Sequence, residues 1–430
     1  MRKIRSVIGY FEKSTQATKK LLNFQRNSRI PEYRDQPHPK KLLQDVITRW
    51  WSTFRSLRRA RFLKKAIMGM LATEEISCEN LSPLEWGILH QIEIALETMA
   101  HFQRVLEGEN YVTASLVPVA VYQIRKNYQE VIDDDNTLSV VKALTETLLA
   151  DFDKRYHTSG GNKLGYTNVA LVGFGNRYTT VHHYFFFAAF LDPRTKLLLK
   201  DMMTDINLQQ LEHDIFVLMM TEKALMKDQR NNHNNPPEEV ATQDQNASVQ
   251  TAASLRMARM FHGLKTTGMA VENQEEDEEE DLTRSECHAE LRKFKHGNVS
   301  IDLHKADGTF NDPLMWWKKN ESSFTLLARL ARMFLAIPAT SAPLERIWSR
   351  VSRILCLQRA SLKPEVAQRI MFVKENLHIL RKHYRALVLA DRDNDDFLVE
   401  LEMSYLFGDD DNEDAEIDVG QSDEYVDCVL

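Results

Sequence analysis

From Asp312 to Leu380 almost every position is patterned, with apolar residues recurring at three- and four-residue spacing, and prolines cut the run at Pro313, Pro338, Pro343 and Pro364. That spacing puts apolar side chains on one side of a 3.6-residue helix, and a proline fits a helix only in its first turn. The segment is thereby restricted to a series of short helices. The spacing predicts one from Pro313 that carries Leu314, Trp316 and Trp317 and continues through Phe324, Leu327, Leu330, Phe334 and Leu335. A second restarts at Ser341 with Ile347 and Trp348, and a third starts at Lys363-Pro364-Glu365 with Val366, Ile370 and Phe372. This aromatic surface exceeds what three helices bury among themselves, so it is expected to face the rest of the chain or a second chain.

The rest of the chain has the same helical character. Glycine accounts for only 15 of 430 residues, and Leu, Ala, Lys, Arg and Glu fill the periodic stretches, which selects a mainly α fold. "SPLE" reads as a helix start with Ser82 as N-cap, Pro83 in the first turn and Glu85 as reciprocal cap. One helix is expected over Ile4–Leu22, another after a cap at Asp45, and others over Ser115–Val131 and Leu138–Tyr156, with Asp133, Asp134 and Asp135 in a solvated turn. Composition divides the chain into a helical region over 1–226, an acidic insertion over 227–285 read as disordered, a patterned region over 286–390 and an acidic tail over 391–430.

Charge is polarised. The first 70 residues hold 18 Lys or Arg against 4 Asp or Glu, a net +14 in a chain whose total is −7. Such a front end suits a polyanion such as nucleic acid, and equally a surface that pairs with the acidic remainder. The four cysteines form no C-x-x-C pair, so neither a zinc finger nor a disulfide framework is read and a reducing compartment is expected. "HHYFFFAAFL" is too short to span a bilayer, which takes about 20 apolar residues. No membrane partner is expected, and the N-terminus does not read as a signal peptide.

Three stretches carry a family resemblance. "DPLMWWKKNESSFTLLARLARMFLAIPATSAPLERIWSR", followed by "QRASLKPE" and "FVKENL", resembles the C-terminal dimerisation region of hAT-superfamily transposases and of domesticated relatives such as the zinc finger BED domain-containing proteins. "QDVITRWWSTF" and "FFFAAFLDPRTK" resemble two upstream segments of that family, in family order. The resemblance implies a helical insertion domain joined to the last helices of an RNase H-like unit, with most of the sheet absent. It implies self-association, with itself or a full-length relative, through Trp316, Trp317, Phe324, Leu327, Leu330, Phe334, Leu335, Ile347 and Trp348. It implies a nuclear location, otherwise a cytoplasmic one, and DNA contact through Arg49 and Trp50, to which Arg55, Arg58, Arg59 and Arg61 add charge.

In catalytic relatives two Asp and one Glu hold divalent Mg or Mn ions about 4 Å apart that activate the attacking oxygen. Glu345 maps to the Glu, and the Asp pair and the BED-type finger map upstream of Met1. Pro343 and Leu344 stand where small or hydroxyl residues are usual, and Ser352 where glycine is. Glu345 therefore reads as a remnant that serves as a first-turn charge rather than as a metal ligand. The expectation is a protein without cofactor, metal site or nuclease activity of its own. The alternative is a fragment of an active hAT transposase whose finger and aspartates were lost at the gene-model boundary.

Overall fold

The computed structural model describes residues 2–34, 36–46, 50–73, 80–156, 163–166, 181–234, 277–297, 299–354 and 363–390. These form sixteen α-helices: α1 (Arg2–Lys13), α2 (Thr15–Asn27), α3 (Pro31–Arg34), α4 (Trp50–Phe62), α5 (Lys64–Ala72), α6 (Pro83–Leu106), α7 (Leu116–Asp133), α8 (Ser139–Tyr156), α9 (His183–Leu191), α10 (Leu199–Met202), α11 (Asp205–Asn234), α12 (Asp277–His296), α13 (Pro313–Asn320), α14 (Thr325–Leu335), α15 (Ala342–Ile354) and α16 (Pro364–Ala390). Among the described residues β pairing is limited to two isolated bridges, Leu164 with Met203 and His304 with Phe310. The fold is mainly α, as the sequence indicated.

Two compact units emerge: residues 1–303 with 311–339, and residues 304–310 with 340–430. In the first unit α6 starts with the expected capping box, in which the Ser82 hydroxyl accepts from the Glu85 amide and the Glu85 carboxylate from the Ser82 amide. The helix expected over Ile4–Leu22 is instead two. Ser14 turns extended and caps α2 by accepting from the Ala17 amide, which breaks the run. Asp45 is not a helix cap. It is buried, accepts both Nε and Nη2 of Arg5, and takes the Thr53 hydroxyl at 3.0 Å.

At the centre of this unit lies α9, apolar on every side. Phe186, Phe187 and Phe190 are buried among α7, α11 and α14, as a helix without a polar face must be. Its exit is locked by the segment Asp192–Lys196. Arg194 and Asp192 pair with both side chains inaccessible to solvent. Arg194 also donates to the carbonyls of Val112 and Asn311, Ser115 donates to Asp192, and the Lys196 ammonium donates to the Phe294 carbonyl at 2.7 Å. Trp317 closes the same point by donating its indole N–H to the Leu191 carbonyl at 2.8 Å. A second core gathers Ile4, Phe11, Leu21, Leu57, Ile67 and Trp86 from the N-terminal helices.

Two further expectations change. The single helix expected from Pro313 to Leu335 is broken at residues 321–324, because Phe324 turns inward to meet Phe294 and Trp316. With no side chain of its own to cap it, α14 borrows Glu290 of α12, whose Oε1 accepts the Leu326 and Leu327 amides at 3.0 and 2.8 Å. The insertion read as disordered over 227–285 is helical at both described ends, since α11 runs to Asn234 and α12 begins at Asp277. The acidic residues at the start of α12 lie at the positive end of the helix dipole, which favours a helix there. The rest of that insertion and the tail over 391–430 lie outside the described residues.

The second unit contains α15 and α16, which contact one another, and a tight turn over His304–Phe310. Gly308 sits at φ +78° in that turn, where an L side chain would be strained.

Candidate functional site

Helices α4 and α6 run antiparallel and position the arginines singled out by charge. Arg61 donates to both carboxylate oxygens of Glu93, a buried residue of α6, and Arg58 approaches the same carboxylate at 3.7 Å and Glu97 at 3.9 Å. Arg59 donates to the Lys41 carbonyl at 3.0 Å. These three therefore hold the fold together as well as supplying charge. Arg55 is exposed, whereas Arg49 lies outside the described residues.

Sequence reasoning missed Arg104. It comes from the last turn of α6, and its guanidinium lies 5.4 Å from the centre of the Trp51 ring. Burial holds its pKa below the ordinary arginine value, and the charges of Arg58 and Arg55 push the same way. The charges of Arg55 and Arg58 thus bear on Arg104, while Glu93 and Glu97 approach Arg58. Like charges this close are relieved by a bound anion. Only the antiparallel pairing of α4 with α6 brings Arg104 here, so no local sequence signal marks it. Trp51 stacks on the buried Phe54 with centroids 5.6 Å apart, and Trp50, 37% exposed, meets Trp51 edge-on. The result is a surface on which the accessible Trp50 indole meets Trp51, and Trp51 in turn meets Arg104.

Glu345 lies in the first turn of α15 and is exposed. The Ser341 hydroxyl donates to its Oε1 at 3.0 Å, and its amide donates to the Ser341 carbonyl at 2.9 Å. Among the described residues no group of three His, Cys, Asp or Glu is arranged to hold a metal ion. A pair of divalent ions, as the resemblance implies, needs several converging carboxylates, and among the described residues no such group forms around Glu345. Asp192 is occupied by Arg194 and Ser115 in the core.

The residues assigned to dimerisation divide sharply. Trp317, Phe324, Leu327, Leu330, Phe334 and Leu335 are buried in this chain's own core, and Trp316 is partly buried against it. They are corrected to core residues, because the aromatic surface that three helices cannot bury is covered here by α9 and α12. Ile347 is half-buried and Trp348 is 63% exposed. Leu344 on the same helix and Val366, Phe372 (68% exposed) and Ile379 on α16 are also exposed. Several large apolar side chains exposed on α15 and α16 are more than scattered surface hydrophobics. Among the described residues no helix is long and apolar enough to cross a membrane.

Comparison with known proteins matches both ends of this geometry. Residues 1–95 match the ZBED1 RNase-like helical domain, and residues 290–377 match the hAT family C-terminal dimerisation region. The chain is 21% identical over 389 residues to zinc finger BED domain-containing protein 4 of Homo sapiens, covering 88% of this chain and 27% of that protein. It is 23% identical over 351 residues to a putative AC transposase of Zea mays, covering 80% of this chain and 38% of that protein. The chain thus spans well under half the length of either relative.

Proposed function

We propose that this hAT transposase-like chain is a transposase-derived protein that self-associates through α15 and α16, binds DNA through the α4–α6 surface, and has no nuclease activity of its own. One observation supports the first part above all. The matched dimerisation region contains the exposed apolar side chains Leu344, Trp348 and Phe372, while its Trp317, Phe324 and Phe334 are already consumed in the core. Burying such side chains gains about 25 cal/mol per Å2 removed from water, so a second copy of the face is a favourable cover.

Light scattering on the full chain at tens of micromolar tests this. A dimer that dissociates on Trp348→Glu or Phe372→Glu is expected, and a parent protein that stays monomeric defeats the proposal. For DNA, Arg55→Ala with Arg104→Ala is the clean variant, because Arg58, Arg59 and Arg61 also serve the fold. Duplex affinity should fall and its salt dependence should become shallower by about one counterion per lost phosphate contact. Unchanged retention on DNA argues against this surface. A nicking assay with Mg or Mn tests the last part: cleavage that Glu345→Gln abolishes would favour the second reading, a piece of an active hAT transposase. The greater length of both relatives favours that reading. A nuclear location follows from the DNA-binding proposal, and imaging of the tagged chain tests it.

A further inference from the structure

Helices α11 and α12 enclose an open groove of roughly 310 Å3 that no part of the preceding reading uses. On α12 its lining comes from His288, Arg292, Lys295 and His296, which share one face at helical spacing. On α11 Glu212 and Phe216 face them. Across the groove the rings of Phe216 and His288 lie parallel, with centroids 4.0 Å apart and planes at 18°. Phe216 is half-buried and His288 is exposed, so the imidazole forms the upper face of a two-ring platform.

Charge surrounds that platform. Lys295 pairs with Glu212, the one acid in the lining. Arg292 is exposed and has no acid partner among the described residues. A planar face with an unpaired guanidinium one turn along the helix suits a ring that carries a phosphate. An acidic peptide would meet the cations and leave the platform unused. A duplex keeps its bases stacked on each other and has no ring to offer the platform. The groove has room for a base and its adjoining phosphate, and it is open, which lets a strand continue beyond it.

We propose that the α11–α12 groove binds single-stranded nucleic acid, with one base stacked on His288 over Phe216 and the adjoining phosphate held by Arg292 and Lys295. This site is separate from the α4–α6 surface and does not depend on it.

The test is fluorescence anisotropy of a labelled oligothymidylate with the full chain. His288→Ala and Arg292→Glu should each weaken binding by about tenfold, the scale of one stacked base or one reversed phosphate contact. His288→Phe, which keeps a ring, should retain affinity. Glu212→Gln should tighten binding, because it removes the acid and releases Lys295, and it keeps the test decisive if another variant unfolds. The losses should persist in a chain that also carries Arg55→Ala and Arg104→Ala. Parent-like binding by His288→Ala, or weaker binding by Glu212→Gln, would overturn the proposal. So would displacement by thymidine monophosphate at concentrations comparable to the oligomer, which would mark a nucleotide pocket rather than a strand groove.

Discussion

Trp317 and Trp348 fall in the same matched region, yet one is sealed and the other is open. Trp317 on α13 is buried, stacked against Phe294, with its indole N–H satisfied by the Leu191 carbonyl. Trp348 on α15 is mostly exposed. The difference lies in neighbours rather than in composition. Helices α13 and α14 are docked against α9 and α12, while α15 and α16 belong to the other compact unit. Among the described residues, Leu344 and Trp348 of α15 and Phe372 of α16 remain exposed. A region that reads as one interface in sequence is therefore half core and half surface.

The largest effects separate these halves. Phe334, fully buried against Phe187, should cost about 4 kcal/mol when cut to alanine, through lost burial and the cavity left behind. Trp348→Ala should change monomer stability by no more than about 0.5 kcal/mol, as exposed substitutions do, while abolishing self-association. Urea denaturation at low concentration, alongside light scattering, reads both. A stability loss for Trp348→Ala as large as that for Phe334→Ala would erase the distinction.

Next comes the lock that seals the buried half. Asp192→Ala leaves Arg194 buried without its carboxylate, which costs about 3 kcal/mol or more. Because Arg194 also holds the Asn311 carbonyl just ahead of α13, protection of α13 amides from hydrogen exchange should fall with global stability. Full protection there would show that α13 is held by its aromatic contacts alone.

Much of this was legible in the sequence, and the failures share one cause. Helix starts that are local chemistry were readable: the Ser82–Glu85 box, Pro313 in the first turn of α13, and Pro364 in the first turn of α16. What tertiary neighbours decide was not. Nothing near Phe324 announces that it will turn inward and break a continuous apolar stripe. Nothing near Arg58 or Arg61 announces Glu93, and nothing near Arg104 announces Trp51. Periodicity shows that a face is apolar; it does not show which partner covers it.

A smaller effect concerns pH. His183 is half-buried on α9 with its ring against Phe187, and burial pushes its pKa down to about 3, with His182 adding to the shift. In the unfolded chain an imidazole takes up a proton below about pH 6.5. The unfolded state then binds more protons than the folded one, so stability is present above that pH and falls as pH drops toward 3. The slope is at most about 1.4 kcal/mol per pH unit. His183→Phe should flatten it between pH 6.5 and 5, and an unchanged slope would place the titrating group elsewhere.

The smallest effect contrasts two glutamates that serve helix starts on either side of the divide. Glu290 reaches across from α12 to accept two amides of α14, and burial raises its pKa against the lowering by those amides. Glu290→Ala strips α14 of its cap and should cost about 1 kcal/mol. Glu345 sits within the start it serves, exposed, and is reached by a hydroxyl of its own helix entry. Glu345→Gln keeps an acceptor for Ser341 and loses only a screened charge near the dipole, so no resolvable change in stability or self-association is expected. A thermal shift with added Mg or Mn that Glu345→Gln abolishes would show that the carboxylate holds an ion after all. It would then belong to a metal site rather than to a helix junction.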